Sequence, residues 1–316
     1  MKRWVKRSLI IVSTVCLVAG LGTALYSWYL YGKFKKTAAD MFEPIISTPY
    51  VSSDSELQIS GIEEAITAEK PFTVLVMGVD ERTNDRGRSD TMIVMGVNPL
   101  KHSIFMFNIP RDTRTAIIGH GTTDKINHAY AFGGVEMSKQ TVEHFLDYPI
   151  DYYIRVNMEG FSKIIDELGG VTVNNPYAFD FSGYTFEQGP IQLNGEQALL
   201  YSRMRYEDPK GDRGRNDRQR AVLKQLISNV FTLYGATQIS NLLVEMGDNV
   251  RTNISFDEMK TFFKEYGTGI EKVDSIEISG SGTMIDKVWY YIVGDQERDR
   301  IHELLKKQMS IETDAV

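Results

Sequence analysis

Aspartate and arginine residues recur at three places in this chain, each beside an apolar segment. The groups are Gly78-Val-Asp80-Glu81-Arg82 with Arg88-Ser-Asp90-Thr, then Asn108-Ile-Pro110-Arg111-Asp112, and finally the basic stretch 203–220. Guanidinium groups grip phosphate oxygens with two N–H donors, and one or two carboxylates can hold Mg²⁺ against the same oxygens. These residue types therefore predict a site that handles a phosphate together with Mg²⁺ or Mn²⁺.

Each group also has a structural interpretation. Asp80 and Asp90 could form turns or caps, as aspartates do in many loops, and Arg111 could form a surface ion pair. The stretch 203–220 could be a solvated loop that leads into a helix. However, Arg203 and Arg205 directly follow an apolar segment, which predicts partly buried guanidiniums. Because an unpaired buried charge is costly, such arginines need an anion, and this favours the functional interpretation of the stretch.

Apolar patterns predict the elements that must position these residues. Near-continuous apolar runs predict buried strands at 72–79, 91–97 and 104–109, with shorter strands at 152–156, 170–173, 275–279 and 288–292. A spacing near 3.6 predicts helices at 138–146, 160–168, 195–202, 217–234 and 296–308. This alternation predicts the α/β class: an α/β/α sandwich with a central, mainly β-sheet layer. Asp80, Asp90 and Arg111 would then lie at strand ends, where open α/β sheets bind ligands.

Residues 8–32 contain no charged side chain and predict one transmembrane helix. A helix of this length spans about 37 Å, which exceeds the roughly 30 Å hydrocarbon core. The alternative is a cleaved signal peptide, whose apolar region is typically only about 7–15 residues long. Four basic side chains before the span and three after it favour a cytoplasmic N-terminus.

The predicted organisation is that of a single-pass (type II) protein of the cell membrane. It has a cytoplasmic tail at 1–7, a transmembrane anchor at 8–32, an extracellular stalk at 33–70 with a short helix near 62–68, and an extracellular catalytic domain at 71–316.

Composition excludes several classes of function. The chain after residue 36 holds 28 Lys and Arg against 42 Asp and Glu, a balance that disfavours non-specific nucleic-acid binding. The single cysteine, Cys16, lies in the predicted anchor, so no disulfide can stabilise the domain. No Gly-x₄-Gly-Lys-Ser/Thr loop occurs, and ATP is therefore not expected as a substrate. His128 is more often a structural hydrogen-bonding residue in such a context, and a role as proton carrier stays open.

Five ordered motifs link the chain to a known family. They are Gly78-Val-Asp80-x-Arg82, Arg88-Ser-Asp90-Thr, Ile109-Pro-Arg111-Asp112, Lys125-Ile-Asn-His-Ala-Tyr-x-x-Gly-Gly134, and Arg203-x-Arg205 with Asp212-x-Gly-Arg215-x-x-Arg218-Gln219. In these motifs and its single N-terminal span, the chain resembles the LytR-CpsA-Psr family of Gram-positive envelope proteins. The resemblance is close over about residues 71–234.

The resemblance implies a phosphotransferase. Such an enzyme moves teichoic acid or another anionic glycopolymer from an undecaprenyl-diphosphate carrier to peptidoglycan at the membrane. Carried over by motif, Asp80 and Asp90 would hold the metal. The catalytic set would be Asp90, Arg111, Arg203 and Arg205, and the diphosphate-binding set would be Arg88, Arg111, Arg203, Arg205, Arg218 and Gln219.

Two other functions remain open at this point. With water as acceptor, the same site would make a lipid-diphosphate hydrolase. A non-catalytic envelope regulator or transcription attenuator is the second alternative, although about seven cytoplasmic residues are too few for a DNA-binding module. The apolar stripe of the predicted helix 217–234 fits either a polyprenyl tunnel or ordinary core packing; it consists of Leu223, Leu226, Ile227, Val230 and Phe231.

Overall fold

The computed structural model describes residues 3–45, 49–54, 70–80, 87–206, 208–230, 236–266 and 270–310. The helices are α1 (Arg3–Met41), α2 (His128–Leu146), α3 (Met158–Glu167), α4 (Gly195–Arg203), α5 (Asp212–Val230), α6 (Ala236–Asn249), α7 (Phe256–Tyr266) and α8 (Asp295–Met309). The strands are β1 (Phe72–Val79), β2 (Ser89–Asn98), β3 (Ser103–Asn108), β4 (Arg114–Ile117), β5 (Thr122–Lys125), β6 (Tyr152–Asn157), β7 (Val171–Asn175), β8 (Phe179–Phe181), β9 (Tyr184–Phe186), β10 (Gly189–Leu193), β11 (Val250–Thr252), β12 (Lys272–Ile276), β13 (Ser281–Ile285) and β14 (Val288–Ile292).

A six-stranded mixed sheet in the order β11-β6-β1-β2-β3-β12 forms the centre of the fold. β2 runs antiparallel to both β1 and β3, so β1 and β3 point the same way, while β6 and β12 join them as parallel neighbours. Every residue of β3 is buried, as the continuous apolar run predicts for a strand covered on both faces. The carboxyl ends of β1 and β3 and the start of β2 therefore share one edge of the sheet.

Helices cover both faces of this sheet. On one face, Leu75, Met77 and Phe107 pack with Phe145 of α2 and Ile301 of α8. On the other face lie Val74, Ile93 and Met106, with Leu223 and Ile227 of α5 and Met259 and Phe262 of α7 partly buried against them. This arrangement confirms the predicted α/β/α sandwich.

A third apolar cluster lies outside the sandwich and is built around small hairpins. It includes Val171 of β7, Phe186 of β9 and Leu193 of β10, with Tyr201 of α4 and Val222 of α5. Because α5 packs against the sheet with one side and this cluster with another, it fixes the α4–α5 connection relative to the sheet. Leu226 also packs here, so core contacts account for the described apolar positions of α5.

The N-terminal helix is longer than the predicted span. Residues Ile11–Met41 form one helix long and apolar enough to cross a membrane, which fits a single-pass anchor. The last turns of this helix lie on the domain: Ala38 and Met41 are buried, and Thr37 Oγ1 donates to the carbonyl of Leu243 over 3.1 Å. Phe34 contacts Phe256 with ring centroids 5.5 Å apart. The anchor is thus continuous with the fold.

The chain after α1 stays on the domain wherever it is described. Glu43 N donates to Thr252 O over 2.8 Å, and Tyr50 Oη donates to Asp147 Oδ1 over 2.7 Å. Asp54 pairs with Lys306 of α8 at 2.7 Å. The described parts of the predicted stalk are therefore packed against the folded domain. The helix predicted near 62–68 lies outside the described residues, as does the end of the predicted helix 217–234.

Candidate active site

The edge of the sheet brings two of the predicted groups together. The register of β1 on β2 shifts between Gly78 and Val79, which pair with Thr91 and Ser89 and leave Asp90 as an extra residue in a β-bulge. A bulge turns a side chain away from the ordinary pleat and is common beside active sites. Arg111, just after β3, donates from Nη1 to Asp90 Oδ1 over 2.9 Å. The two predicted site residues are in direct contact.

Arg111 is the centre of a partly buried ion network. Its Nε lies 3.8 Å from Asp112 Oδ2, and Lys125 Nζ lies 2.6 Å from Asp112 Oδ1. Burial lowers the pKa of the Arg111 guanidinium, but attraction to Asp90 and Asp112 outweighs burial and leaves it above its ordinary value. The guanidinium is therefore held charged and in a fixed orientation at the edge of the sheet.

Arg215 and Asp212, from the first turns of α5, join this network. Arg215 Nη2 lies 2.8 Å from Asp212 Oδ1, and the arginine is only 6% exposed. Burial lowers the pKa of the Arg215 guanidinium. The positive charges of Arg111 and Arg205 lower this pKa further, whereas the negative charges of Asp212 and Asp90 raise it without cancelling the decrease. Its Nε is buried and has no hydrogen-bond partner among the described residues. The Arg111 and Arg205 guanidiniums are thus near enough to Arg215 for their charges to lower its pKa, and such an accumulation of positive charge favours a bound anion.

Arg218 has a different environment from its neighbours. It is 3% exposed, its Nε donates to the carbonyl of Tyr201 over 2.8 Å, and its two terminal nitrogens donate to Asp208 and to the carbonyl of Met204. Burial raises the Asp208 pKa, but hydrogen bonds from Tyr177 and Arg218 outweigh burial and leave it below its usual value. The guanidinium is therefore directed towards the α4–α5 connection.

Gly214 makes this clamp sterically feasible. The Asp208 carboxylate packs so closely on the start of α5 that a Cβ at position 214 would lie 1.8 Å from its Oδ2. Any larger residue would displace the carboxylate that holds Arg218. The glycine in the Asp212-x-Gly motif is thus required by a close approach rather than by its φ angle.

The other predicted ligands lie around the network. Helix α4 starts at a capping box formed by Asn194 and Gln197 and ends at Arg203, because Met204 adopts an extended conformation. Arg203 is exposed and makes no hydrogen bond or ion pair with the described residues, so the prediction that it is partly buried is wrong. Arg205 is half-buried as predicted, with its guanidinium 4.7 Å from the ring centroid of Tyr206.

Arg88 and Gln219 complete the predicted set. Arg88 is exposed, and its carbonyl accepts from Asp80 N over 3.4 Å, which places the backbone after β1 beside the start of β2. Gln219 Oε1 accepts from Asn108 Nδ2 over 2.9 Å, so this side chain is tied to the end of β3.

Asp80 and Asp90 offer the oxygen donors that Mg²⁺ prefers. Both are half-buried at neighbouring strand ends. Arg111 occupies one oxygen of Asp90, while the other carries no hydrogen bond from the described part of the chain. No group of three or more His, Cys, Asp or Glu residues suited to a metal occurs among the described residues. Two carboxylates fit Mg²⁺ all the same, since it commonly takes one or two and draws its remaining ligands from phosphate and water.

Several residues of this site carried no assigned role from sequence. Arg215 and Asp212 belong to the Asp212-x-Gly-Arg215 motif, and a spacing of three residues on a helix predicts that the two side chains are neighbours. Asp208 and Asn108 gave no signal, because their roles depend on partners elsewhere in the chain. His128 Nδ1 lies 2.7 Å from Asp124 Oδ2, and Tyr290 Oη donates to the other oxygen of Asp124 over 3.2 Å. This histidine is thus held in a structural hydrogen-bond network.

Known proteins resemble this chain in both sequence and fold. The LytR_cpsA_psr family model matches residues 28–307. A polyisoprenyl-teichoic acid–peptidoglycan teichoic acid transferase, TagU of Bacillus subtilis (strain 168), is 42% identical over 304 residues, which cover 96% of each chain. The crystal structure of B. subtilis TagU has a TM-score of 0.64 and covers 78% of this chain and 100% of that one. A structure of TagT bound to LIIa-WTA is 29% identical, with a TM-score of 0.67, and covers 82% of this chain and 99% of that one.

Proposed function

Because the chain belongs to the LytR_cpsA_psr family, we propose that it is a teichoic acid transferase of the bacterial envelope. It moves an anionic wall glycopolymer from undecaprenyl diphosphate to peptidoglycan and joins the two by a phosphodiester bond. The observation that supports this most is the ion network at the end of β3, where Arg111 contacts Asp90 and the buried Arg215 pairs with Asp212 while its Nε has no partner among the described residues. A doubly charged diphosphate is an anion that such a cluster suits.

The arginines divide into those that bind and those that position. Arg88 and Arg203 are exposed and Arg205 is half-buried, so these three guanidiniums are accessible to a diphosphate. Arg111 supplies a positive charge whose orientation is fixed by its hydrogen bond to Asp90. Arg218 directs its donors to Tyr201, Met204 and Asp208, and we assign it the positioning of the segment that carries Arg203 and Arg205.

The reaction is one in-line phosphoryl displacement. An acceptor hydroxyl, the 6-hydroxyl of a muramic residue, attacks the phosphorus next to the glycopolymer. A new P–O bond forms as the bond to the bridging oxygen breaks, and undecaprenyl phosphate leaves with that electron pair while the hydroxyl proton passes to solvent. Negative charge grows on the bridging and non-bridging oxygens, and preorganised guanidiniums stabilise it without rearranging.

Asp80 and Asp90 would hold a divalent cation, Mg²⁺ or Mn²⁺, against the same phosphate oxygens. When bound, such an ion supplies further neutralisation of the charge that develops on the diphosphate. Asp90 would therefore have two tasks, since one oxygen orients Arg111 and its other oxygen would be available to hold the cation. A neutral substitute at this position removes both.

The anchor explains how a lipid-linked donor reaches the site. Helix α1 leaves the membrane and packs directly onto α6 and α7, and Glu43 just after it bonds to β11. These contacts keep the domain close to the surface where such donors reside. We propose that the N-terminus is cytoplasmic and the domain extracellular, in agreement with the basic residues that precede the span.

Substitution at two sites tests this function. Arg203→Ala and Asp90→Ala should each lower transfer by about 10³-fold, the scale on which an arginine acts in phosphoryl transfer. Both side chains are at least partly exposed, so the fold should persist. Transfer is measured with the full chain in nanodiscs, an undecaprenyl-diphosphate-linked glycan and peptidoglycan oligomers.

Arg298→Ala is the matched control, since Arg298 lies on α8 and pairs only with the surface residue Asp295 among the described residues. Full activity of both site variants, with the control also active, would refute the site assignment. Release of free glycan phosphate by the unaltered protein, with no adduct to peptidoglycan, would instead favour the hydrolase.

A further inference from the structure

A cavity of about 270 Å³ opens beside the proposed active site and takes no part in the proposed phosphoryl transfer. Its lining comes from the end of β3, the first turns of α5 and the β13–β14 hairpin. This volume is just below the roughly 300–1,000 Å³ of typical ligand pockets, so the cavity suits one small ring rather than a polymer segment.

Trp289 supplies an aromatic face to this cavity. It is 43% exposed, an unusual degree of exposure for so large an apolar side chain. Its indole packs on Gly282 of the paired strand, where a Cβ would lie only 2.6 Å from the ring. Tyr291 secures the hairpin, because its N–H donates to Asp112 O over 2.9 Å and its hydroxyl donates to Ile278 O over 3.1 Å. The aromatic face is therefore fixed relative to the sheet edge.

The opposite wall carries buried polar groups. Arg220, 7% exposed, donates from Nη1 to Asn108 Oδ1 over 2.9 Å. Asn216 is 6% exposed and lines the cavity, yet its amide makes no hydrogen bond with any described residue. An amide in the cavity wall that is not engaged by the described residues offers an acceptor oxygen and two donor hydrogens to a ligand with hydrogen-bonding groups.

The cavity shares two of its lining residues with the ion network of the proposed diphosphate site. Asp112 and Asp212 line it, and these same residues contact Arg111 and Arg215 of the ion network. A group bound here would lie next to the reacting phosphorus. In the proposed reaction, the donor carries a sugar ring on the reacting phosphate, and the acceptor carries one at the attacking hydroxyl.

We infer that this cavity is a saccharide subsite in which the Trp289 indole packs on the apolar face of a pyranose ring and Asn216 binds its polar substituents. A pyranose presents C–H groups on one face and hydroxyl or acetamido groups around its edge. The C–H face suits the Trp289 indole, and the polar edge suits the amides, carboxylates and guanidinium of the opposite wall. The inference rests on the proposed function, and the ring belongs either to the peptidoglycan acceptor or to the glycan of the donor.

The test uses tryptophan emission of the full chain in nanodiscs. The sequence holds three tryptophans, and Trp4 and Trp28 both lie in α1, so the W4F/W28F background leaves Trp289 as the sole emitter. One arm titrates a tetrasaccharide of alternating N-acetylglucosamine and N-acetylmuramic acid. The other arm compares a short polyprenyl diphosphate with and without its attached disaccharide.

A saturable change in Trp289 emission with the tetrasaccharide assigns the subsite to the acceptor, and a change that requires the donor's disaccharide assigns it to the donor. Asn216→Ala should weaken that binding by about tenfold, as truncation of a central contact does. Met284→Ala is the control, because Met284 pairs with Trp289 across the hairpin and is 61% exposed, outside the cavity lining. An adequately folded Asn216→Ala variant that binds as tightly as the W4F/W28F background would overturn the inference.

Steady-state transfer gives an independent readout. Trp289→Ala should raise the KM for one saccharide substrate by about tenfold with kcat retained, and Trp289→Phe should recover most of that loss. Absence of transfer by the unaltered protein would defeat the proposed function while leaving the emission arms intact. Absence of any emission change with both saccharides, in a protein that does transfer, would defeat the subsite alone.

Discussion

Replacement of Arg218 by alanine separates a positioning role from a ligand role. The side chain donates to Asp208 and to two backbone carbonyls, those of Tyr201 and Met204, and its guanidinium also lies 5.4 Å from the ring centroid of Phe179. Alanine removes the cation and leaves a carboxylate that is 1% exposed without its charged partner. The main expected effect of the change is therefore a less stable α4–α5 connection, and any loss of substrate binding would follow from that.

The size of this effect follows from the burial of the pair. Loss of one partner of a buried ion pair costs about 3–5 kcal/mol of unfolding free energy. In a domain of this size about 1 kcal/mol lowers the melting temperature by about 2–4 °C, so the expected decrease is about 6–20 °C. Arg218→Lys should lose nearly as much, because an ammonium group cannot reproduce three directed guanidinium bonds.

Arg203→Ala provides the comparison within the same stretch of chain. Arg203 is exposed and has no ion pair with the described residues, so its removal should change unfolding free energy by no more than about 0.5 kcal/mol. The assay is thermal unfolding of the full chain in nanodiscs by circular dichroism, followed by transfer activity well below the melting temperature. Arg203→Ala should lose activity and keep its stability. Arg218→Ala should lose stability first.

One result would refute this reasoning directly. If Arg218→Ala unfolded within about 1 kcal/mol of the unaltered protein and yet lost transfer as completely as Arg203→Ala, Arg218 would be a diphosphate ligand. The clamp on the α4–α5 connection would then be incidental.

Three further predictions concern pH, metal and the anchor. The Asp208 pKa is lower in the folded protein than in the unfolded chain, so the ionised carboxylate stabilises the fold. This stabilisation is complete above about pH 4 and is lost as the pH falls through the folded pKa. The difference in unfolding free energy between the unaltered protein and Asp208→Asn, measured with urea, should therefore be constant from about pH 5 to 8 and shrink below about pH 4. Chelation by EDTA should abolish transfer and leave the melting temperature within about 2 °C, with recovery on addition of Mg²⁺, whereas full activity after chelation and dialysis would exclude a cation role. Deletion of residues 1–41 should destabilise the domain by at least about 2 kcal/mol relative to deletion of 1–32, because it removes the buried Ala38 and Met41, and equal melting temperatures would show that the end of α1 contributes nothing.

The central strands could be predicted because their environment imposes a strong pattern. The middles of β1 to β3 are covered on both faces, so most of their residues are apolar. The predicted bounds differ from the observed ones by no more than two residues. β12 is an edge strand with largely exposed side chains, and the buried Ile278 beyond its end displaced the predicted strand towards the carboxyl terminus. The short strands β8 and β9 lie in a small hairpin, where no such pattern develops.

Helix starts were less predictable than helix centres. α2 begins ten residues before the predicted start, and Gly134 within it has φ 68° and ψ −149°, a break that weakens the helical signal of its first turns. α5 begins at Asp212 rather than Asp217, because its first turns are polar and serve the ion network instead of the core. α6 and α7 were missed, although Met259 and Phe262 of α7 have the spacing that one buried helical face requires.

In the site, sequence predicted location better than role. The positions of Asp90 and Arg111 at neighbouring strand ends follow from strand order, and their contact agrees with it. Arg203 and Arg218 have the same side chain in the same basic stretch, yet one is exposed and the other is 3% exposed. Val222 of α5 is fully buried, and residues four apart lie on the same face of a helix. This spacing predicts that Arg218 lies on the inner face of α5. Its partners, in contrast, come from tertiary structure that no local pattern encodes.

Product analysis tests the central claim most directly. The full chain in nanodiscs is incubated with an undecaprenyl-diphosphate-linked glycan, peptidoglycan oligomers and Mg²⁺, and the products are identified by mass spectrometry. The account predicts a glycan joined to peptidoglycan through a phosphodiester, with one undecaprenyl phosphate released for each bond formed. Undecaprenyl phosphate released together with free glycan phosphate, and no adduct, would contradict it.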